Sequence, residues 1–283
     1  MQFDLIRLVL VSRAQTSLFE QRSESGRALS REEWLREKFS KTIEFPHAKN
    51  EFHYIPDIDA SKISDLIVGQ IGRQFKAVEN LPPEEGFKEV ERTPWRASSV
   101  FIDPRHHADG QKLGFEVKDH IGGSLPIIKS LAKYMNINPD EPYIIEANAI
   151  VDPKTFWEFE KANRGRITSI TFDLVAPNMF GIRDEMDDEL RKFRENEKAR
   201  NITITLKNPD GLKLNDSRVE VSVNYATEGG GAIIARTKRK GVTFSSNKNA
   251  KKETVDIPEE IDRNKITNIV EFVKSSIFGA NRE

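Results

Sequence analysis

Seven positive side chains fall within 21 residues: Arg236, Lys238, Arg239, Lys240, Lys248, Lys251 and Lys252, in a window, Ala232–Lys252, with no Asp or Glu. That is a local charge of +7. Four of the seven lie in Arg236–Lys240, followed by Gly241, as expected at the tip of a β-hairpin. Clustered cations of this kind suit a phosphate backbone, because each phosphate they neutralise releases condensed counterions. Nothing in the window points to readout of base edges. The bland alternative is a solvated loop balanced by the acidic stretches Asp184–Glu189 and Glu253–Glu260. Arg73, Arg164 and Arg166 are candidates to extend the same surface.

A second constellation has the order of a metal-dependent nuclease. Asp103-Pro104 precedes Glu116-Val117-Lys118 by 13 residues, resembling the Asp…Glu-x-Lys signature of the PD-(D/E)XK nucleases. There two carboxylates hold a divalent metal and the Lys orients water or stabilises charge. The expected hairpin opposes this. Asp103 falls opposite about Lys112, with Glu116 four residues further along, which separates the carboxylates by about 13 Å. His106, His107 and Asp109 share a polar loop with Asp103, and His120 follows, but none has metal-ligand spacing. Gly122-Gly123-Ser124 reads as a helix start without the Lys-Ser/Thr of a P-loop, and Gly229-Gly230-Gly231 as a hairpin turn. No catalytic motif stands out, and no metal or cofactor is expected.

The elements that must position these residues alternate between strands and helices. Gln2–Ser12 reads as a mostly buried strand and Arg13–Arg27 as a long polar loop. Ser30-Arg31-Glu32-Glu33 is a capping box that opens a helix carrying Trp34 and Leu35. Phe52–Ile55 is a strand, Ser61–Val78 a short helix running into a strand, and Leu81–Gly86 a linker or exposed loop. Ser98–Ile102 and Lys112–Lys118 form a hairpin, and a helix follows Ser124. Tyr143–Ala149 is a strand, and Asp152-Pro153 opens another helix. Arg166–Val175 alternates as a strand, and Arg183–Arg200 is a highly charged helix. Ile202–Leu206, Val219–Tyr225 and Gly231–Arg236 read as strands, and Glu259–Phe278 as a last helix. The sum is an α+β fold of antiparallel sheets with packed helices and a protruding basic hairpin. Two domains are expected, 1–176 and 177–283.

Composition narrows the class. The 283 residues carry 44 Lys and Arg against 45 Asp and Glu, and no Cys. Without cysteine there is no disulfide scaffold, thiolate metal site or thiol nucleophile. The apolar run Leu8–Val11 is far shorter than a membrane span, so a soluble cytoplasmic protein with no membrane insertion is expected. The net charge of −1 averages over the basic window and does not argue against nucleic acid.

The middle of the chain carries a family likeness. Ile144–Ile150, the aromatic segment Phe156–Phe159, Gly165-Arg166-Ile167-Thr168, the alternating strand and Pro177…Phe180-Gly181-Ile182 follow one another in an order that resembles the phage-exclusion proteins of the lambda RexA type. It is similar also to the KwaB component of the Kiwa anti-phage system. The resemblance implies a cytoplasmic α+β protein that binds DNA with little sequence preference, often as a dimer, beside a membrane partner. It brings no catalytic residues. The reading from sequence is therefore a non-catalytic nucleic-acid-binding defence protein, DNA before RNA, acting as a homo-oligomer. A metal-dependent nuclease and a structural subunit of a defence complex are the alternatives.

Overall fold

The computed structural model describes residues 1–13, 29–105, 111–175, 192–193, 196–197 and 199–279. The loop expected over Arg13–Arg27 lies outside them beyond Arg13, as do His106, His107, Asp109, the segment 176–191 and most of the charged helix expected at Arg183–Arg200.

The architecture is α+β, with antiparallel sheets and packed helices. The first strand, β1 (Gln2–Ser12), is central. Its alternate side chains enter two different cores: Ile6, Leu8 and Leu10 point to one, Phe3 and Leu5 to the other. This is why the strand is apolar on both faces instead of alternating with polar residues. Along one edge β1 pairs with β8 (Gln111–Glu116). Along the other it meets β14 (Lys252–Thr254) at its start and β9 (Tyr143–Ala149) over its second half. Beyond β8 the sheet continues through β7 (Trp95–Ile102), β4 (Ile67–Gln74), β3 (Asn50–Pro56) and β2 (Ile43–His47).

Helices cover both faces of this sheet. On one, α1 (Arg31–Lys38) and α3 (Ser124–Met135) bury Trp34, Leu35, Ile127, Ile128 and Leu131. The capping box forms as expected: Glu33 N–H donates to Ser30 Oγ at 3.2 Å, and Ser30 N–H donates to Glu33 Oε2 at 2.8 Å. On the other face, α2 (Ile58–Ser64) and α6 (Ile266–Val273) enclose Phe3, Leu66, Val68, Phe101, Ile269 and Val270. The last helix begins at Ile266, later than expected from the sequence, because Asp262 turns the chain first by accepting from Asn264 N–H at 3.0 Å.

A second, four-stranded sheet has the order β11 (Asn201–Lys207), β10 (Ile167–Val175), β12 (Gly231–Thr237), β13 (Thr243–Ser245). Its inner face packs Ile170, Phe172, Ile233 and Ala235 against α4 (Pro153–Ala162) and α5 (Ser217–Tyr225). This sheet takes β10 from before residue 176 and its other strands from after it, and β14 and α6 then return to the first sheet. The four-stranded sheet thus draws on both sides of the division expected near residue 176.

One expected strand is a helix. Val219–Tyr225 alternates as V-E-V-S-V-N-Y, but the Asp216 side chain accepts from Arg218 N–H at 2.9 Å and caps α5. Val219, Ser222 and Val223 then face inward at helical spacing. The glycines that follow are accordingly no hairpin turn. They lead from α5 into β12, and Gly229 (φ +90°) lies so close to β1 that an added Cβ would sit 2.4 Å from that of Arg7. Strands β2, β5 (Ala77–Asn80) and β6 (Glu89–Arg92) were not foreseen. The loop around Leu81–Gly86 closes the pair β5–β6.

Candidate nucleic-acid interface

All four strands of the second sheet have an end on the same side. β10 starts there, β11 and β12 finish there, and β13 starts there. Three loops therefore meet at this end: the turn after α4, the loop after β11 and the tip between β12 and β13.

The tip is held by Thr237 N–H donating to Val242 O at 3.2 Å and Val242 N–H to Arg239 O at 3.1 Å. Gly241 takes φ +86°, a conformation that costs a glycine nothing. Hydrogen bonds tie the tip to both neighbouring loops. Lys238 N–H donates to Arg166 O at 2.9 Å, and Lys238 Nζ donates to Asp210 O at 3.0 Å. The loop after β11 is bonded back to β10 by Asn208 N–H to Thr168 O and Leu212 N–H to Ile167 O, at 2.9 and 2.7 Å. Arg164 and Arg166, about 70 residues earlier than the hairpin, thereby stand next to Lys238–Lys240, and all are exposed. Arg164 is engaged only loosely, with Glu160 Oε1 at 3.4 Å and its own side chain 77% exposed.

The basic surface continues onto the outer face of the sheet. Ser169 is paired with Lys207 on one side and Arg236 on the other, so these two cations flank it on one face. Along the same face run Thr171, Thr205 and Thr243, with Thr171 and Thr205 hydroxyls 3.1 Å apart. Hydroxyls between cations are hydrogen-bond donors for phosphate oxygens. Lys207 was missed in the sequence, being remote from the basic window. The signal was present in β11, where Thr203, Thr205 and Lys207 alternate with the inward Ile202 and Ile204.

The window itself is divided. Arg236, Lys238, Arg239 and Lys240 belong to this sheet end. Lys248 lies in the single turn Ser246–Lys248, and Lys251 and Lys252 lie at the edge of the first sheet. There Lys251 pairs with Glu253 at 2.7 Å, and Lys252 stands opposite Asp4. Arg73 does not join the group: it donates to the carbonyls of His120 and Ile121 at 2.8 and 3.3 Å, and its guanidinium lies over Phe52.

The nuclease constellation is not brought together. Asp103 N–H donates to Lys112 O, and Ser99 N–H donates to Glu116 Oε2 at 3.1 Å, so the two carboxylates occupy positions four residues apart along β7. That is about 13 Å. Each has local cationic company: Arg105 grips Asp103 with two bonds of 2.8 and 2.7 Å, which raises the guanidinium pKa, and Lys118 pairs with Glu116 at 2.9 Å. Among the described residues no group of three or more His, Cys, Asp or Glu is placed to hold a metal ion. No helix among them is long and apolar enough to cross a membrane.

The chain matches no family model, and neither a curated protein nor a solved structure is significantly similar to it.

Proposed function

We propose that this protein binds nucleic acid, duplex DNA in the first instance, through the basic end of its second sheet and with little sequence preference. The observation that carries the reading is the convergence of cations from two separate loops, with Lys207 at the end of β11 beside them. Lys238 is bonded to both neighbouring loops, which places Arg164 and Arg166 beside Lys238, Arg239 and Lys240. Charges pooled from remote segments onto one exposed face form a more extended phosphate-binding surface than a single solvated loop offers. Because the side chains are long and exposed, they suit contacts to the backbone, which fix position without reading sequence. The binding is non-catalytic in this reading. A role in anti-phage defence rests on the sequence resemblance alone.

The test is charge reversal. Replacing Arg236, Lys238, Arg239 and Lys240 together by Glu should weaken binding to a labelled duplex at low salt at least about 100-fold. Reversal of Lys251 and Lys252 should have a much smaller effect. All four tip residues are exposed, so circular dichroism should show the fold retained. Undiminished binding by the four-fold variant contradicts the proposal.

A further inference from the structure

β11 is an edge strand. Its register with β10 runs unbroken from Asn201 to Lys207, and among the described residues no strand pairs with its other edge. Which backbone groups face that edge follows from the ladder. Asn208 N–H donates to Thr168 O, and along an antiparallel strand every second residue turns its N–H and C=O the same way. Ile202, Ile204 and Leu206 therefore bond toward β10, whereas Asn201, Thr203, Thr205 and Lys207 direct theirs outward. Such a row of free donors and acceptors is a template for another strand.

The other edges of the two larger sheets are blunted. β2 carries Pro46, and β13 and β14 are three residues long. The edge of β9 is taken up by Asn136, which donates from Nδ2 to Ile145 O at 2.8 Å and accepts from Ile145 N–H at 2.9 Å. β11 has no proline, no bulge against β10 and no charge before its last residue, Lys207. Its inward side chains are also incompletely covered: Ile202 and Ile204 are partly buried and Leu206 is 37% exposed.

We propose that the occupant of this edge is β11 of a second copy, paired antiparallel about a two-fold axis at Ile204. The strand N-I-T-I-T-L-K is self-complementary in that register. Thr203 exchanges both backbone bonds with Thr205 of the second copy, and Asn201 does so with Lys207. On the inner face Ile204 meets Ile204 and Ile202 meets Leu206, which covers the three incompletely buried side chains. No like charges are opposed, because the two Lys207 ammonium groups stand at opposite ends of the pair. Moving the axis by one residue, to Thr203 or Thr205, would leave only five of the seven residues paired. The resulting interface is isologous and closed, and it joins the two four-stranded sheets into one. The inference does not rest on nucleic-acid binding, and its test contains no nucleic acid.

The wild-type chain, freed of nucleic acid, should sediment as a dimer at micromolar concentration. Thr205→Pro removes an outward N–H that β10 does not use, and should raise the dimer dissociation constant at least about 10-fold. Thr203→Lys combined with Thr205→Lys should weaken the dimer by opposing like charges, and Thr203→Lys combined with Thr205→Glu should restore it. Both threonines are exposed, so these double variants should stay folded. The cysteine-free sequence lets a cross-link locate the axis. Ile204→Cys should form a disulfide-linked dimer on mild oxidation, since the paired Cα atoms there are about 4.5 Å apart, and Thr205→Cys should not. A monomeric wild type, or a dimer indifferent to Thr205→Pro and to the paired lysines, overturns the proposal. So does cross-linking through Thr205→Cys in place of Ile204→Cys, or through neither.

Discussion

Glu146 shows how placement changes the meaning of a residue that the sequence leaves unremarkable. It lies on β9, partly buried, and faces Asp173 of β10, Lys129 of α3 and Arg200. The Asn201 amide can donate to its Oε1 at 3.1 Å. Burial first, and then Asp173, push its carboxyl above the ordinary value of 4.5, although Arg200 and Lys129 pull the other way. Burial likewise lowers the Lys129 ammonium. A carboxyl with a raised pKa holds its proton more tightly in the folded than in the unfolded chain. Stability is therefore lost as pH rises from 4.5 through the folded value, and the loss is complete above it. Glu146→Gln should accordingly melt higher than wild type at pH 7, with the difference closing as pH falls to 4 and below. Equal melting temperatures at pH 7 would contradict the assignment. In the sequence Glu146 was one polar residue within the strand Tyr143–Ala149, and burial at a junction of two sheets leaves no local trace there. Asp103 and Glu116 show the converse. Their order suggested a metal site, but Asp103, just past the end of β7, bonds to Lys112 O while Glu116 reaches Ser99 N–H four residues back, and neighbouring cations occupy both.

Elements were legible where local chemistry agreed with the fold. The capping box before α1, the two-sided apolarity of β1 and the Asp152-Pro153 start of α4 all appear as read. They failed where two periods compete. Val219, Val221 and Val223 alternate like a strand, yet Val219 and Val223 also share a helix face, and the Asp216 cap decides for the helix. That change reassigns the glycines after it. Gly229 has to bring α5 back against β1, where Arg7 leaves no room for a side chain. Gly229→Ala should cost more than about 1 kcal/mol, from the left-handed backbone together with the clash. A thermal or urea melt measures it, and an unchanged stability would mean that α5 and β1 are not packed this closely. Strand β2 was hidden by Pro46, which is tolerated because β2 is the edge of its sheet. Of the ribbon β5–β6 only the tip, Leu81–Gly86, was read, as a linker or exposed loop, because ribbon pairing with both faces in water leaves no apolar alternation.

Over the whole molecule, the balance of 44 cations against 45 anions conceals separation rather than uniform mixing. Cations gather at one end of the second sheet, while the ribbon around β5 and β6 mixes Glu79, Glu84, Glu85, Glu89 and Glu91 with Lys76, Lys88 and Arg92, the last paired with Glu79 at 3.2 Å. The basic window was visible in the sequence. Arg164 and Arg166 were already candidates to extend it, but its division between two sheets and its reinforcement by Lys207 were not visible, because both depend on pairing between segments 30 to 70 residues apart. The central claim is that these cations bind phosphates, and the salt dependence of binding tests it most directly. For wild type, the logarithm of the association constant for duplex DNA should fall linearly with the logarithm of salt concentration. In the double variant Lys238→Ala, Arg239→Ala the slope should be shallower by about 2, one counterion for each lost contact. Binding that is indifferent to salt, or an unchanged slope in the double variant, would contradict the account.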